Sequence, residues 1–117
     1  MKGEIGQLIK EAKREEKYFQ NYLRYAKEIK KEAEKFLGKG KVRLMVFGSI
    51  LRKDEVAQDI DILIVSPKLK DYKIRSFLLA KIFKKLGNFS PFEFHLITPE
   101  EYQNWYQNFI KKEFIEI

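Results

Sequence analysis

The chain has no cysteine. This excludes disulfide staples and thiolate metal ligands, and it fits a reducing, cytoplasmic setting. No stretch approaches the roughly 18 consecutive apolar residues that a membrane span needs. The first residues, "MKGEIGQLIKEAKREEK", carry no apolar signal core. Internal repeats and low-complexity linkers are absent as well. The expectation is a soluble protein with no membrane segment.

What remains is enough for a folded domain. The 117 residues suit a single domain. Hydrophobic residues at 44% and aromatics at 15% supply a core rather than a disordered tail. The formal charge is +7, with 35% of residues charged. Such a surface attracts phosphates, whether on nucleotides, nucleic acid or acidic partners, without choosing among them.

Apolar residues recur at three- and four-residue steps from residue 4 to 37: Ile5, Leu8, Ile9, Ala12, Phe19, Tyr22, Leu23, Ala26, Ile29, Ala33, Phe36 and Leu37. This predicts a long N-terminal helical segment over 1–38, with a bend or a second helix at the gap around Glu15 and Glu16, and Gly38 as the stop. "VRLMVF" (42–47) reads as a strand broken by Gly48-Ser49, with a short helix expected over 50–55. "DIDILIV" (59–65) and "FEFHLI" (92–97) read as two further strands. Between them, residues 70–86 form an amphipathic helix closed by Gly87-Asn88. Thr98-Pro99-Glu100-Glu101 is a strong helix start, with a hydroxyl cap, proline in the first turn and acids after it. The final helix is expected over about 99–112, within a C-terminal helix or tail spanning 103–117. The order of elements predicts a small α/β (α+β) domain, a mixed sheet of about three to four strands with helices packed on it.

The chemistry concentrates in "VFGSILRKDEVAQDIDILIV", residues 46–65. Side chains alternate faces along a strand, so Asp59 and Asp61 are expected on one face and Ile60, Ile62 and Ile64 on the other. Two like charges about 7 Å apart repel each other. A divalent cation offsets this, and hard oxygen ligands suit Mg²⁺ or Mn²⁺. Alone, Asp-x-Asp also occurs at solvated strand starts and turns. Gly48-Ser49 sits where a strand hands over to a helix. Its backbone N–H groups, the Ser49 hydroxyl and Arg52 one turn on offer donors to a phosphate. A Gly-Ser turn alone is equally ordinary. Together, a phosphate cradle and a carboxylate pair on consecutive strands point to a metal and a triphosphate at one end of a sheet.

At these residues the sequence resembles the DNA polymerase β-like nucleotidyltransferase superfamily. Its signature is an apolar residue and Gly-Ser, a spacer of about ten, then Asp-apolar-Asp-apolar. Here it reads "FGS", nine residues, then "DIDI". Arg52 matches a basic residue of "GSxxR" in small members, and the compact size resembles the minimal nucleotidyltransferases. The resemblance covers roughly residues 42–102, which makes that stretch the expected catalytic core. It implies binding of ATP or another nucleoside triphosphate with Mg²⁺ or Mn²⁺. The nucleoside monophosphate, AMP by expectation, would pass to an acceptor hydroxyl while pyrophosphate leaves. Asp59 and Asp61 would hold metal, and Gly48, Ser49 and Arg52 would hold the nucleotide.

The family supplies a third acid from a neighbouring strand. In "FEFHLI" both Glu93 and His95 face away from Phe92, Phe94 and Leu96. Glu93 has the carboxylate chemistry to be the third metal ligand, while His95, the only histidine, lies nearer the place where relatives carry an acid. Both are candidate catalytic residues. Small relatives pair with helical HEPN-type proteins as toxin and antitoxin, so a HEPN-type partner is implied, with the acceptor hydroxyl carried on it. The alternative is a weak or inactive transferase fold that acts as an antitoxin by contact alone. The tyrosines Tyr18, Tyr22 and Tyr25 widen the apolar face of the first helix, for core packing or for a homo-oligomer. The lysines of 68–85 are read as a solvated face ahead of a nucleic-acid track. Trp105, Tyr106 and Phe109 are read mainly as helix-to-sheet packing, ahead of contact with a partner.

Overall fold

A computed structural model of the chain describes Gly6 and residues 16–87 and 90–117. Ile5, Leu8, Ile9 and Ala12 of the first expected helix, and Asn88 after the 70–86 helix, lie outside the described residues. Residues 16–20 are helical, and a turn at Asn21 separates them from α1 (Tyr22–Leu37). The Asn21 amide donates to the Lys17 carbonyl at 3.0 Å, a local bond of the kind that interrupts helices.

The remaining order is β1 (Arg43–Phe47), a 3₁₀ turn (Ser49–Leu51), β2 (Ile60–Val65), a 3₁₀ turn (Pro67–Lys70), α2 (Tyr72–Leu86), β3 (Phe92–Ile97), α3 and β4 (Phe114–Glu116). The final helix, α3, starts as Pro99–Glu101, widens into a π-helical turn over Tyr102–Tyr106 and closes as Gln107–Ile110. The helix expected over 50–55 is therefore a single 3₁₀ turn. The helix or tail expected over 103–117 is helical to Ile110 and then returns as a strand. Lys111, with φ +49°, makes that reversal.

The four strands lie in the order β3-β2-β1-β4. β1 runs antiparallel to β2 and to β4, while β2 and β3 are parallel and joined through α2. Strand alternation sorts the sheet into two apolar faces. Leu44, Val46, Ile60, Ile62, Ile64, Phe92 and Leu96 meet Ile29, Ala33 and Leu37 of α1 and Leu78, Ile82 and Leu86 of α2 in the main core. Met45, Phe47, Leu63, Val65 and Ile97 form a second core under Tyr102 and Ile110 of α3. The tyrosines of the N-terminal segment serve the first core. Tyr18 and Tyr25 pack against Phe92, and the Tyr18 hydroxyl donates to the Leu86 carbonyl at 2.6 Å, satisfying the end of α2.

The edge strand β4 is short and is fastened by charge. Arg43 on β1 donates to both carboxylate oxygens of Glu116, at 2.9 and 2.8 Å. The Arg43 hydrogen bond holds the Glu116 carboxyl below the ordinary glutamate range. Its folded pKa is thus depressed, and the stabilisation is present above the unfolded value and lost as pH falls through the folded one. Both groups are about half exposed, so the effect is local and modest. Amide exchange at Ile115 and Ile117 is expected to accelerate relative to the core strands as pH drops below about 4.3, once intrinsic rates are removed. Glu116→Gln should abolish that added acid dependence.

Candidate active site

The register explains how the site forms. Asp61 stands opposite Phe47, the last residue of β1, and beside Glu93 of β3, with Leu63 beside His95. Asp61, Glu93 and His95 therefore share the sheet face that carries the second core, at its open end. One oxygen of each carboxylate and one ring nitrogen of His95 lie within 4.8 Å of one another. His95 Nε2 is 3.4 Å from Asp61 Oδ1 and 3.9 Å from Glu93 Oε1.

Gly48 is required by this geometry. Its backbone has φ +89° and ψ −160°, a region open essentially to glycine alone. A Cβ at this position would collide with the Asp61 Oδ2 oxygen and lie 3.2 Å from its Cγ. The glycine thus vacates the space that the carboxylate fills. Ser49 follows, half-buried, at the start of the 3₁₀ turn. Arg52 is exposed and pairs with Glu55 at 3.3 Å and with Glu113 at 3.6 Å. Exposed pairs of this kind are weak and exchangeable.

Asp59 is not part of the converging trio. It is exposed and lies one residue before β2. Ile60 donates its N–H to the Pro91 carbonyl, and Asp59 stands beyond both neighbouring ladders.

His95 is held on three sides. Its ring lies 5.3 Å from that of Phe47 and 5.7 Å from that of Tyr106, centroid to centroid. The Tyr106 hydroxyl is 3.3 Å from Nδ1. Burial, then the charges of Glu101 and Glu93, raise the Tyr106 pKa and keep the phenol protonated. Two proton arrangements fit. A Tyr106 O–H donating to Nδ1 leaves Nε2–H to donate to Asp61. A proton on Nδ1, donated to the phenol oxygen, frees Nε2 as a ligand.

Sequence reasoning missed Tyr106 as a neighbour of His95, reading it mainly as packing. The strong helix start at Thr98 was the available signal, because it fixes α3 immediately after the strand carrying His95. Thr98 and Glu101 form a reciprocal cap, and Arg75 of α2 donates to Glu101 at 2.5 Å. Burial pushes the Glu101 carboxyl up, but the Thr98 backbone N–H and Arg75 outweigh it and hold the pKa low. Trp105 and Phe109 depart from the packing expectation, being 74% and 76% exposed.

The donor set fits a divalent ion. Ligands about 2.1 Å from an octahedral ion are about 3.0 Å apart when adjacent and about 4.2 Å apart when opposite. The separations at His95 fall in that range. Two carboxylate oxygens and an imidazole nitrogen leave further positions for water or phosphate oxygens.

The family of nucleotidyltransferase domains matches residues 26–117. A solved structure of a candidate nucleotidyltransferase is 32% identical, with a TM-score of 0.64, over 78% of this chain and 95% of that one. A second candidate nucleotidyltransferase, from Sulfolobus solfataricus, shares the fold at a TM-score of 0.55 and 20% identity, over 88% and 85% of the two chains. No curated protein is significantly similar to this chain. Among the described residues, no helix is long and apolar enough to cross a membrane. The mixed four-stranded sheet, the glycine turn against Asp61 and the family match over most of the chain lead to one conclusion: the chain belongs to the polymerase β-like nucleotidyltransferases.

Proposed function

We propose that the protein binds ATP or another nucleoside triphosphate in the cytoplasm and transfers the nucleoside monophosphate, AMP by preference, to an acceptor hydroxyl. The observation that carries this reading is the convergence of Asp61, Glu93 and His95 beside the glycine turn. A Mg²⁺ or Mn²⁺ ion there supplies charge neutralisation for the triphosphate and the leaving pyrophosphate. Asp61, Glu93 and His95 would hold it, and Asp59, one residue before β2, would be a further carboxylate for it. Gly48 admits the Asp61 carboxylate, the Ser49 hydroxyl donates to a phosphate oxygen, and Arg52 exchanges its surface partners for phosphate. The acceptor oxygen bonds to the α-phosphorus, the bond to the β-phosphate oxygen breaks, and the acceptor proton passes to a site carboxylate. The chain's share is positioning and charge.

The acceptor in this proposal is carried on a HEPN-type helical partner. A second reading has the domain neutralising that partner by contact alone. The position of Asp59 outside the trio favours it. Partner neutralisation that survives Asp59→Asn/Asp61→Asn, with no nucleotidylation of the wild-type complex, selects contact over catalysis.

Three outcomes are expected. Calorimetry should find metal-dependent ATP binding by the wild type that Asp59→Asn/Asp61→Asn loses; undiminished binding would remove the site from the proposal. Gly48→Ala should cost about 1–3 kcal/mol of stability in urea unfolding, and also abolish metal-dependent ATP binding because Asp61 is displaced. With a ring nitrogen among the donors, Mn²⁺ should bind about fivefold or more tighter than Mg²⁺. Mn²⁺ resonance titration with Mg²⁺ competition reads this, and His95→Ala should narrow the gap.

A further inference from the structure

Asp61 and His95 form the floor of a cleft of about 610 Å³ whose walls are aromatic: Phe47, Trp105, Tyr106 and Phe109. Glu101 completes the lining, and among the described residues no lysine or arginine is part of it. The walls are two of a kind. Phe47 is 5% exposed and Tyr106 is half-buried, so both belong to the second core. Trp105 and Phe109 stand on successive turns of α3 and are largely exposed, and Phe109 meets Phe47 edge-on at 6.5 Å and 87°. The π-helical turn Tyr102–Tyr106 lies immediately before Phe109 and contains Trp105 and Tyr106. Such turns recur where a helix builds a functional site.

We propose that this cleft holds the nucleobase of the triphosphate, stacked on the exposed rings of Trp105 and Phe109. The inference rests on the triphosphate lying at the glycine turn and the carboxylates. Away from Asp61 and His95, the aromatic side of the cleft offers no cationic side chain to a phosphate among the described residues. That side is built for the uncharged, planar end of a ligand whose charged end is held at the adjoining floor. Aromatic walls accept any base by its π face, and such stacking changes affinity by roughly five- to a hundredfold per base. Purines, with the larger ring surface, gain most. Trp105 and Phe109 remain exposed because the ring that covers them arrives with the substrate.

Trp105 is the only tryptophan of the chain, so its fluorescence reports the cleft directly. The experiment titrates the intact protein, with Mn²⁺ present, against ATP and against inorganic tripolyphosphate, which has no base. ATP should quench Trp105. Tripolyphosphate should displace ATP without quenching, and should bind more weakly. Phe109→Ala should weaken ATP about tenfold while leaving tripolyphosphate affinity unchanged. Equal affinity for the two ligands, with no effect of Phe109→Ala on ATP, overturns the base site and leaves the triphosphate reading standing. A Phe109→Ala protein that changes only its oligomeric state also overturns the base site, in favour of a second copy of the chain. Binding of neither ligand by the wild type overturns the base site and the triphosphate reading together.

Discussion

The close approach of the Gly48 backbone to the Asp61 carboxylate is the contact on which the rest of the site depends. β1 ends at Phe47 opposite Asp61, and a side chain on the next residue would occupy the carboxylate's own space. The glycine therefore does two things at once. It takes a backbone conformation closed to other residues, and it leaves a charged group room to turn toward Glu93 and His95. Strand pairing sets where Asp61 is, and the missing Cβ sets where its oxygens are.

A second set of contacts supplies the other wall. Arg75 on α2 reaches across to Glu101, and Thr98 caps the helix whose first turn holds Glu101. These bonds tie the start of α3 to the main body of the fold. The helix then runs over the sheet face that carries His95 and brings Tyr106 to the imidazole. The second core is small, so polar fastening at its edge counts for more than it would in a large domain. The Arg43–Glu116 pair plays the same part at the other end, where β4 closes the sheet.

Much of this was legible in the sequence where local rules decide the outcome. Alternation alone put Ile60, Ile62 and Ile64 in the core and set Glu93 and His95 on the face opposite Phe92 and Phe94. "FEFHLI" is a strand over the same six residues in the structure. Asp59 was less legible, because the start of β2 depends on its neighbours. β1 has already ended at Gly48, and the preceding partner on β3 is Pro91, so the ladder stops at Ile60. β4 was missed for a related reason. Three residues carry little signal of their own, and their pairing depends on the exposed edge of β1. The π-helical turn has no sequence rule behind it, so Trp105 and Phe109 read as packing although they are exposed.

One divalent ion is proposed between Asp61, Glu93 and His95, and the most direct test is anomalous diffraction from crystals soaked in Mn²⁺ with a non-hydrolysable nucleoside triphosphate. The predicted result is a peak within ligand distance of an oxygen of Asp61, an oxygen of Glu93 and a ring nitrogen of His95, next to Gly48. A triphosphate bound with its metal elsewhere, or bound with none, would contradict the account.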